Sequence, residues 1–145
     1  MTRPISDHAM AERLKSAGLR PTRQRVALGV LLFSAGDRHV TAEMLHDEAV
    51  RDRIPVSLAT VYNTLHQFTE AGLLREVAIE GSKTYFDTNT SDHHHFYYEH
   101  DGVLMDIEGD TLPVLSVPQP PEGMEISRID VLVRLVKKDG RGVAH

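Results

Sequence analysis

No cysteine occurs anywhere in the 145 residues. Disulfides and thiolate-ligated zinc are thereby excluded, and any metal site has to be built from His, Asp, Glu or backbone oxygen. No apolar run approaches the ~18 residues that a bilayer-spanning helix requires. Residues 1–10 hold no apolar stretch followed by a small-residue cleavage site, so the expected location is cytoplasmic, with no membrane partner. Also missing are a His-Glu-x-x-His helix, a Gly-rich phosphate loop, a Gly-x-Ser-x-Gly elbow, internal repeats and low-complexity tracts. The rest is ordinary: 41% hydrophobic and 26% charged residues suit a globular chain of one domain or two small ones.

The net charge of -5 is unevenly spread. Residues 1–80 hold ten Lys/Arg against ten carboxylates, whereas residues 81–145 hold six against eleven, which supplies the whole excess. Within the first 25 residues, six cations face only Asp7 and Glu12. Phosphate binding follows local charge, so the first half suits DNA and the acidic half suits cations. Four of the nine histidines fall within Asp92-His93-His94-His95-Phe96-Tyr97-Tyr98-Glu99-His100-Asp101. Imidazole ligates Zn, Fe, Mn and haem iron, so this cluster fits a metal enzyme, a buffer or a sensor; a chance run of His in a polar loop is the plainer alternative.

Helical spacing predicts a first helix over 7–17 (Met10, Leu14, Ala17) ended by Gly18, and a second with Pro21 in its first turn. Val26, Leu28, Val30, Leu31, Leu32 and Phe33 are expected to bury that second helix, which ends near Gly36. Thr41 is a good N-cap for 42–50, with Leu45 and Ala49 inward. Ser57 caps the next helix, 58–71, with Leu58, Val61, Leu65 and Phe68 inward at 3, 4, 3 spacing and Gly72 at its C-terminal end. A hairpin follows: 74–79, a polar turn at 80–83, then 84–87. Helices closed by a two-stranded hairpin make a winged helix-turn-helix, with helix 57–71 as the major-groove reader and the hairpin as the wing. Its outward residues, Ala59, Thr60, Tyr62, Asn63, His66 and Gln67, suit base edges and phosphates, although an amphipathic helix with a solvated face has the same pattern.

The polar stretch 88–92 is the expected hinge. Beyond it, 96–99 and 103–107 flank Asp101-Gly102, a strong hairpin signal, while Pro113, Pro118, Pro120 and Pro121 exclude a long helix in 109–123. Alternation of Ile129, Val131, Val133 and Leu135 predicts a half-buried strand within 125–136. So small a module has little core of its own, and sheet pairing with a second copy makes a homodimer the expectation. The expected division is 1–88 for DNA binding, 89–92 as hinge, 93–138 for dimerisation and sensing, and 139–145 as a loose tail. The overall expectation is an α+β chain with a small α/β dimerisation domain after the winged helix.

Several separated motifs resemble the ferric uptake regulator family: 18–25 (GLRPTRQR), 41–43 (TAE), 57–65 (SLATVYNTL), 68–72, 83–87 and 93–102. The resemblance covers roughly residues 10–136. It implies a cytoplasmic homodimeric transcription regulator, not an enzyme, with a metal ion between winged-helix and dimerisation domains. Carried over by position, His39, Asp87, His93, His95 and Asp106 would bind Mn, Fe(II) or Zn. Arg20, Thr22 and Arg23 would contact phosphate or the minor groove, and Ser57, Ala59, Thr60, Tyr62 and Asn63 would read the major groove. Tyr98 and Asp101 stand where the family often has Cys-x-x-Cys, so the structural zinc held by four cysteines is lost. A second dimerisation-domain site retains Asp92 and His94 but has Ile129 in place of a ligand. Asn63 replaces a common Arg, favouring adenine over guanine.

The Asp-His-His-His-Phe-Tyr string, Asn63 and the missing cysteines further resemble the haem-responsive iron response regulators of alphaproteobacteria. That branch implies haem on His93, His94 or His95, since no Cys-Pro motif exists, and a haem-delivering or haem-synthesising partner. Against the regulator stand two alternatives: a zinc hydrolase using His93, His95 and a carboxylate, and a haem or metal buffer whose helices are only structural. His8, His46, His66 and His145 are expected to be solvent-exposed, and Glu99 and His100 to be surface residues or peripheral ligands.

Overall fold

The computed structural model describes residues 4–79, 83–91, 93–107 and 117–138. Residues 80–82 of the expected wing turn at 80–83, Asp92, the stretch around Pro113, and the tail 139–145 with His145 lie outside the described residues. The chain divides into two compact units, the first ending at Thr90 and the second beginning at Ser91.

Each helix of the first unit begins where a side-chain oxygen satisfies an end N–H. Ser6 caps α1 (Asp7–Ser16), Thr22 caps α2 (Arg23–Phe33), Thr41 caps α3 (Ala42–Arg51) and Ser57 caps α4 (Leu58–Glu70). Gly18 and Gly72, at φ 81° and 83°, provide the left-handed turns after α1 and α4. Pro21 lies before the cap instead of inside α2, because the Thr22 hydroxyl takes the Arg25 N–H and fixes the start.

Met10, Leu14, Leu28, Leu32, Leu45, Val61, Leu65, Phe68 and Phe86 are fully buried in one core. Leu58 is a correction: it is 37% exposed, and Thr64 is buried in its place. At 3.6 residues per turn, 61, 64, 65 and 68 make one stripe, whereas residue 58 sits at the open end of the helix. Similarly, α2 buries Leu28, Gly29 and Leu32 fully; Val26, Val30, Leu31 and Phe33 are half-buried, since only one face of a helix meets the core. His46 is half-buried, while His8 and His66 are exposed.

Met10 lies over Gly29, where an added Cβ would fall 2.7 Å from its Sδ and Cε. Gly29→Ala, normally favourable in a helix by roughly 0.5–1 kcal/mol, is therefore expected to be destabilising. Overpacking costs about 1–3 kcal/mol, and a denaturant melt showing increased stability would contradict this.

The sheet of the first unit holds the expected hairpin, β2 (Arg75–Ala78) and β3 (Thr84–Asp87), plus an unforeseen strand, β1 (His39–Val40). The order is β1-β3-β2, all antiparallel, with His39 opposite Asp87 and Arg75 opposite Asp87 on the other side.

In the second unit, β4 (His94–Tyr98) and β5 (Val103–Ile107) form the expected hairpin, with Gly102 at φ 65°. Strand β6 (Leu132–Leu135) runs parallel to β4, giving the order β5-β4-β6. It is shorter than the alternation predicts, and Ile129 is 38% exposed instead of half-buried in a strand. The β6 register with β4 spans only His95 to Tyr98; just before it the Val131 carbonyl accepts the His95 N–H, and among the described residues no strand pairing reaches back to Ile129. Along β4, His95 and Tyr97 are buried while His94, Phe96 and Tyr98 are half-buried, the period-two signature of a sheet covered on one face.

Candidate metal and nucleic-acid sites

In the second unit, the β4–β5 register puts His95 directly opposite Asp106. Asp106 Oδ1 lies 3.2 Å from His95 Nε2 and 3.0 Å from His93 Nε2. The two imidazoles stand 4.5 Å apart, tilted by 58°. His93 Nδ1 is 2.7 Å from the Ser91 carbonyl oxygen. A carbonyl only accepts, so Nδ1 carries a proton, and in the neutral ring Nε2 is a lone pair. That nitrogen faces a carboxylate oxygen, and an imidazole nitrogen and a carboxylate oxygen so placed are donors that one metal ion can share. Two ligands each about 2.1 Å from one ion and at right angles stand about 3.0 Å apart, so this donor set fits a divalent cation. The His93 bond to a backbone carbonyl is also how ligating histidines are commonly oriented.

His94 is placed differently. Its Nδ1 accepts the Val131 N–H at 3.1 Å, which leaves the proton of the neutral ring on Nε2. As held here, His94 has no lone pair to offer an ion. Glu99 and His100 are exposed, as expected.

The first unit contains a second cross-strand pair. His39 Nε2 lies 3.2 Å from Asp87 Oδ2, and Asp87 is fully buried. Asp87 Oδ1 accepts the Asn89 N–H at 2.9 Å. The Arg38 N–H donates to Thr88 Oγ1, and the Thr88 N–H donates to the Arg38 carbonyl, pinning the backbone beside both residues. Arg38 also pairs with Glu48 of α3. Arg75 is buried opposite Asp87, and nothing in its sequence spacing distinguishes a buried arginine from an exposed one.

On α4, Ala59 and Asn63 are exposed, whereas Thr60 and Tyr62 are half-buried. Ser57 Oγ accepts the Thr60 N–H at 3.1 Å and donates to Thr60 Oγ1 at 2.9 Å, so both hydroxyls take part in the cap. Gln67 Oε1 accepts from Arg25 Nη2 at 2.9 Å, and Arg25 Nη1 donates to the Arg20 carbonyl at 3.0 Å. Arg25 thus ties α4 to the loop carrying Arg20, Thr22 and Arg23, all three exposed. The Tyr62 hydroxyl points at the Glu43 carboxylate. Desolvation, then the hydrogen bond and charge of Glu43, raise its pKa above the ordinary 10.0, so the phenol is a neutral donor at pH 7. Arg25 and Glu43 stand within motifs legible in the sequence, but only the fold assigns them partners.

A model of the ferric uptake regulator family matches residues 16–133. The chain belongs to the ferric uptake regulator family. Its similarity to the peroxide-responsive repressor PerR of Staphylococcus aureus is 35% identity over 95 residues, spanning 66% of this chain and 64% of that protein. The chain thus spans just under two thirds of the length of the curated relative it matches. Among solved structures of the family, the ferric uptake regulator of Pseudomonas aeruginosa with manganese matches at 25% identity and TM-score 0.67, covering 89% of this chain and 98% of that one. The Vibrio cholerae ferric uptake regulator matches at 23% identity and TM-score 0.70, covering 88% and 98%. These likenesses establish the family fold: an α+β chain whose winged-helix unit precedes a small sheet-based unit.

Proposed function

We propose that this member of the family is a metal-responsive transcription regulator, not an enzyme, which binds operator DNA as a homodimer in the cytoplasm. The observation that carries the metal reading is the His93 ring, oriented by Ser91 so that its basic nitrogen faces the carboxylate it shares with His95. By the resemblance to the family, His39 and Asp87 would add their donors to the same Mn, Fe(II) or Zn ion. Asp87 and His93 are six residues apart, which puts them within reach of one ion. Such an ion would bias the hinge at 89–92, between the DNA-binding residues 1–88 and the sensing residues 93–138, and hence the affinity for DNA.

Exposed Arg20 and Arg23, with Thr22, would contact the phosphate backbone or minor groove. Ser57, Ala59, Thr60, Tyr62 and Asn63 would lie along the major groove, with Asn63 as the base reader. Dimerisation is supported by the second unit's small sheet, whose order places β6 at an edge among the described residues.

Haem control, with a haem-delivering or haem-synthesising partner, is the finer reading and rests on the likeness to iron response regulators. An axial ligand from His94 would first have to release the Val131 N–H, whereas His93 and His95 would exchange Asp106 for iron.

The test is selection of duplexes from a randomised pool, followed by titration without metal and with Mn(II), Fe(II), Zn(II) or haem. Binding to the selected duplex is expected to depend on a divalent metal and to fall steeply with salt. Asn63→Ala is expected to weaken binding about tenfold and relax preference at one base pair, the cost of a lost bidentate contact. Absence of duplex binding in every metal or haem state would sink the regulator reading; metal-dependent turnover of ester, phosphate or peptide substrates would revive a hydrolase.

A further inference from the structure

The exposed face of α4 carries one residue whose orientation is set by a different helix. The Tyr62 hydroxyl lies 3.3 Å and 3.2 Å from the two carboxylate oxygens of Glu43, which stands in the first turn of α3. At the other end, the Tyr62 ring stacks with the His66 ring at 6.4 Å and 18°. His66 in turn meets the fully buried Phe86 edge-on at 5.5 Å. Tyr62 is therefore braced at its hydroxyl and along its ring, although it stands on the outward side of the helix.

We propose that Glu43 is a positioning residue for DNA reading, which holds the Tyr62 ring in the orientation that meets the base edges. The proposal rests on the DNA-binding reading above. A carboxylate on this side of the protein has an electrostatic cost, because it repels phosphate. A first-turn Glu is also favoured by the α3 dipole, which by itself gives a reason for its presence. The hydrogen bond to Tyr62 adds a role that the dipole does not require. An aromatic side chain fixed before docking loses less rotational freedom on binding, and a fixed ring discriminates between neighbouring bases more sharply than a mobile one.

Charge and hydrogen bond can be separated with two substitutions. Glu43→Gln keeps an acceptor for the phenol and removes the charge; Glu43→Ala removes both. Each is made in the full-length protein, alone and combined with Tyr62→Phe, and tested on the duplex that the wild type enriches from a randomised pool and on a scrambled duplex. Thermal melts accompany each variant. Glu43→Gln is expected to bind at least as tightly as the wild type. Glu43→Ala is expected to bind about fivefold more weakly than Glu43→Gln and to discriminate less between the two duplexes. In the Tyr62→Phe background the two Glu43 variants should bind alike, since there is no hydroxyl left to hold. Equal affinity and discrimination of Glu43→Gln and Glu43→Ala with Tyr62 intact would overturn the proposal, leaving Glu43 as a dipole charge only. So would an Ala–Gln difference that persists unchanged in the Phe background or merely follows the melting temperature. A wild type that enriches no duplex overturns the DNA reading, and this proposal with it; a wild type that binds while the variants stay additive overturns the proposal alone.

Discussion

Asp106→Asn is expected to lower the affinity for Mn(II) by about 100-fold while leaving the fold intact. The carboxylate is the meeting point of two imidazoles: its Oδ1 lies near both His93 Nε2 and His95 Nε2. Asn keeps the shape and removes the charge. Mn(II) depends on hard carboxylate oxygen, whereas Zn(II) is content with imidazole, so the loss should be larger for Mn(II) than for Zn(II). The β4–β5 ladder is made by backbone groups and is unaffected by the exchange, so circular dichroism should not change. Isothermal titration with each metal measures both effects. Equal Mn(II) affinity in the two proteins would remove Asp106 from the ligand set, and a parallel loss of the sheet would make its role structural.

The second large effect is in the core of the first unit. Phe68→Ala is expected to cost about 3–5 kcal/mol, the usual penalty for emptying the place of a fully buried aromatic ring. Phe68 is fully buried on the inner stripe of α4, in the same core as Leu65, Leu28 and Phe86. Total stabilities of small domains are about 5–15 kcal/mol, so one such change removes a large share. In a unit of this size each kcal/mol moves the melting temperature by about 4–8 °C, giving a fall of roughly 12 °C or more. A thermal melt reads this directly, and a shift within a few degrees would mean that the site collapses around the gap. On the proposed function, DNA binding would then be lost through unfolding of α4, in contrast to Asn63→Ala, where it is expected to fall with the melting temperature unchanged.

The two effects divide along a line that the sequence itself draws. Caps, helix stripes and turn glycines are local: Thr41, Ser57, Gly72 and Gly102 stand where the spacing of the chain puts them. The four helices and both hairpins were legible for that reason, because a helix stripe or a two-stranded turn depends on neighbours within a few residues. Leu58 and the early part of the last strand were misread for the converse reason. Whether an apolar residue is covered, or an alternating segment is paired, depends on where its partner element ends, and that is not a property of the segment.

The candidate metal residues show the same division. The absence of cysteine and the run of histidines limited the donors to imidazole and carboxylate, and the motif order placed the chain in its family. The sequence determined which donor types were available and which residues could act as helix caps and readers. Only the tertiary structure decided that His39 faces Asp87 and that His93 and His95 share Asp106, because these partners are brought together by strand register across many residues of chain. It also decided that His94 turns to Val131 and that Glu43 holds Tyr62, through hydrogen bonds that no local spacing encodes.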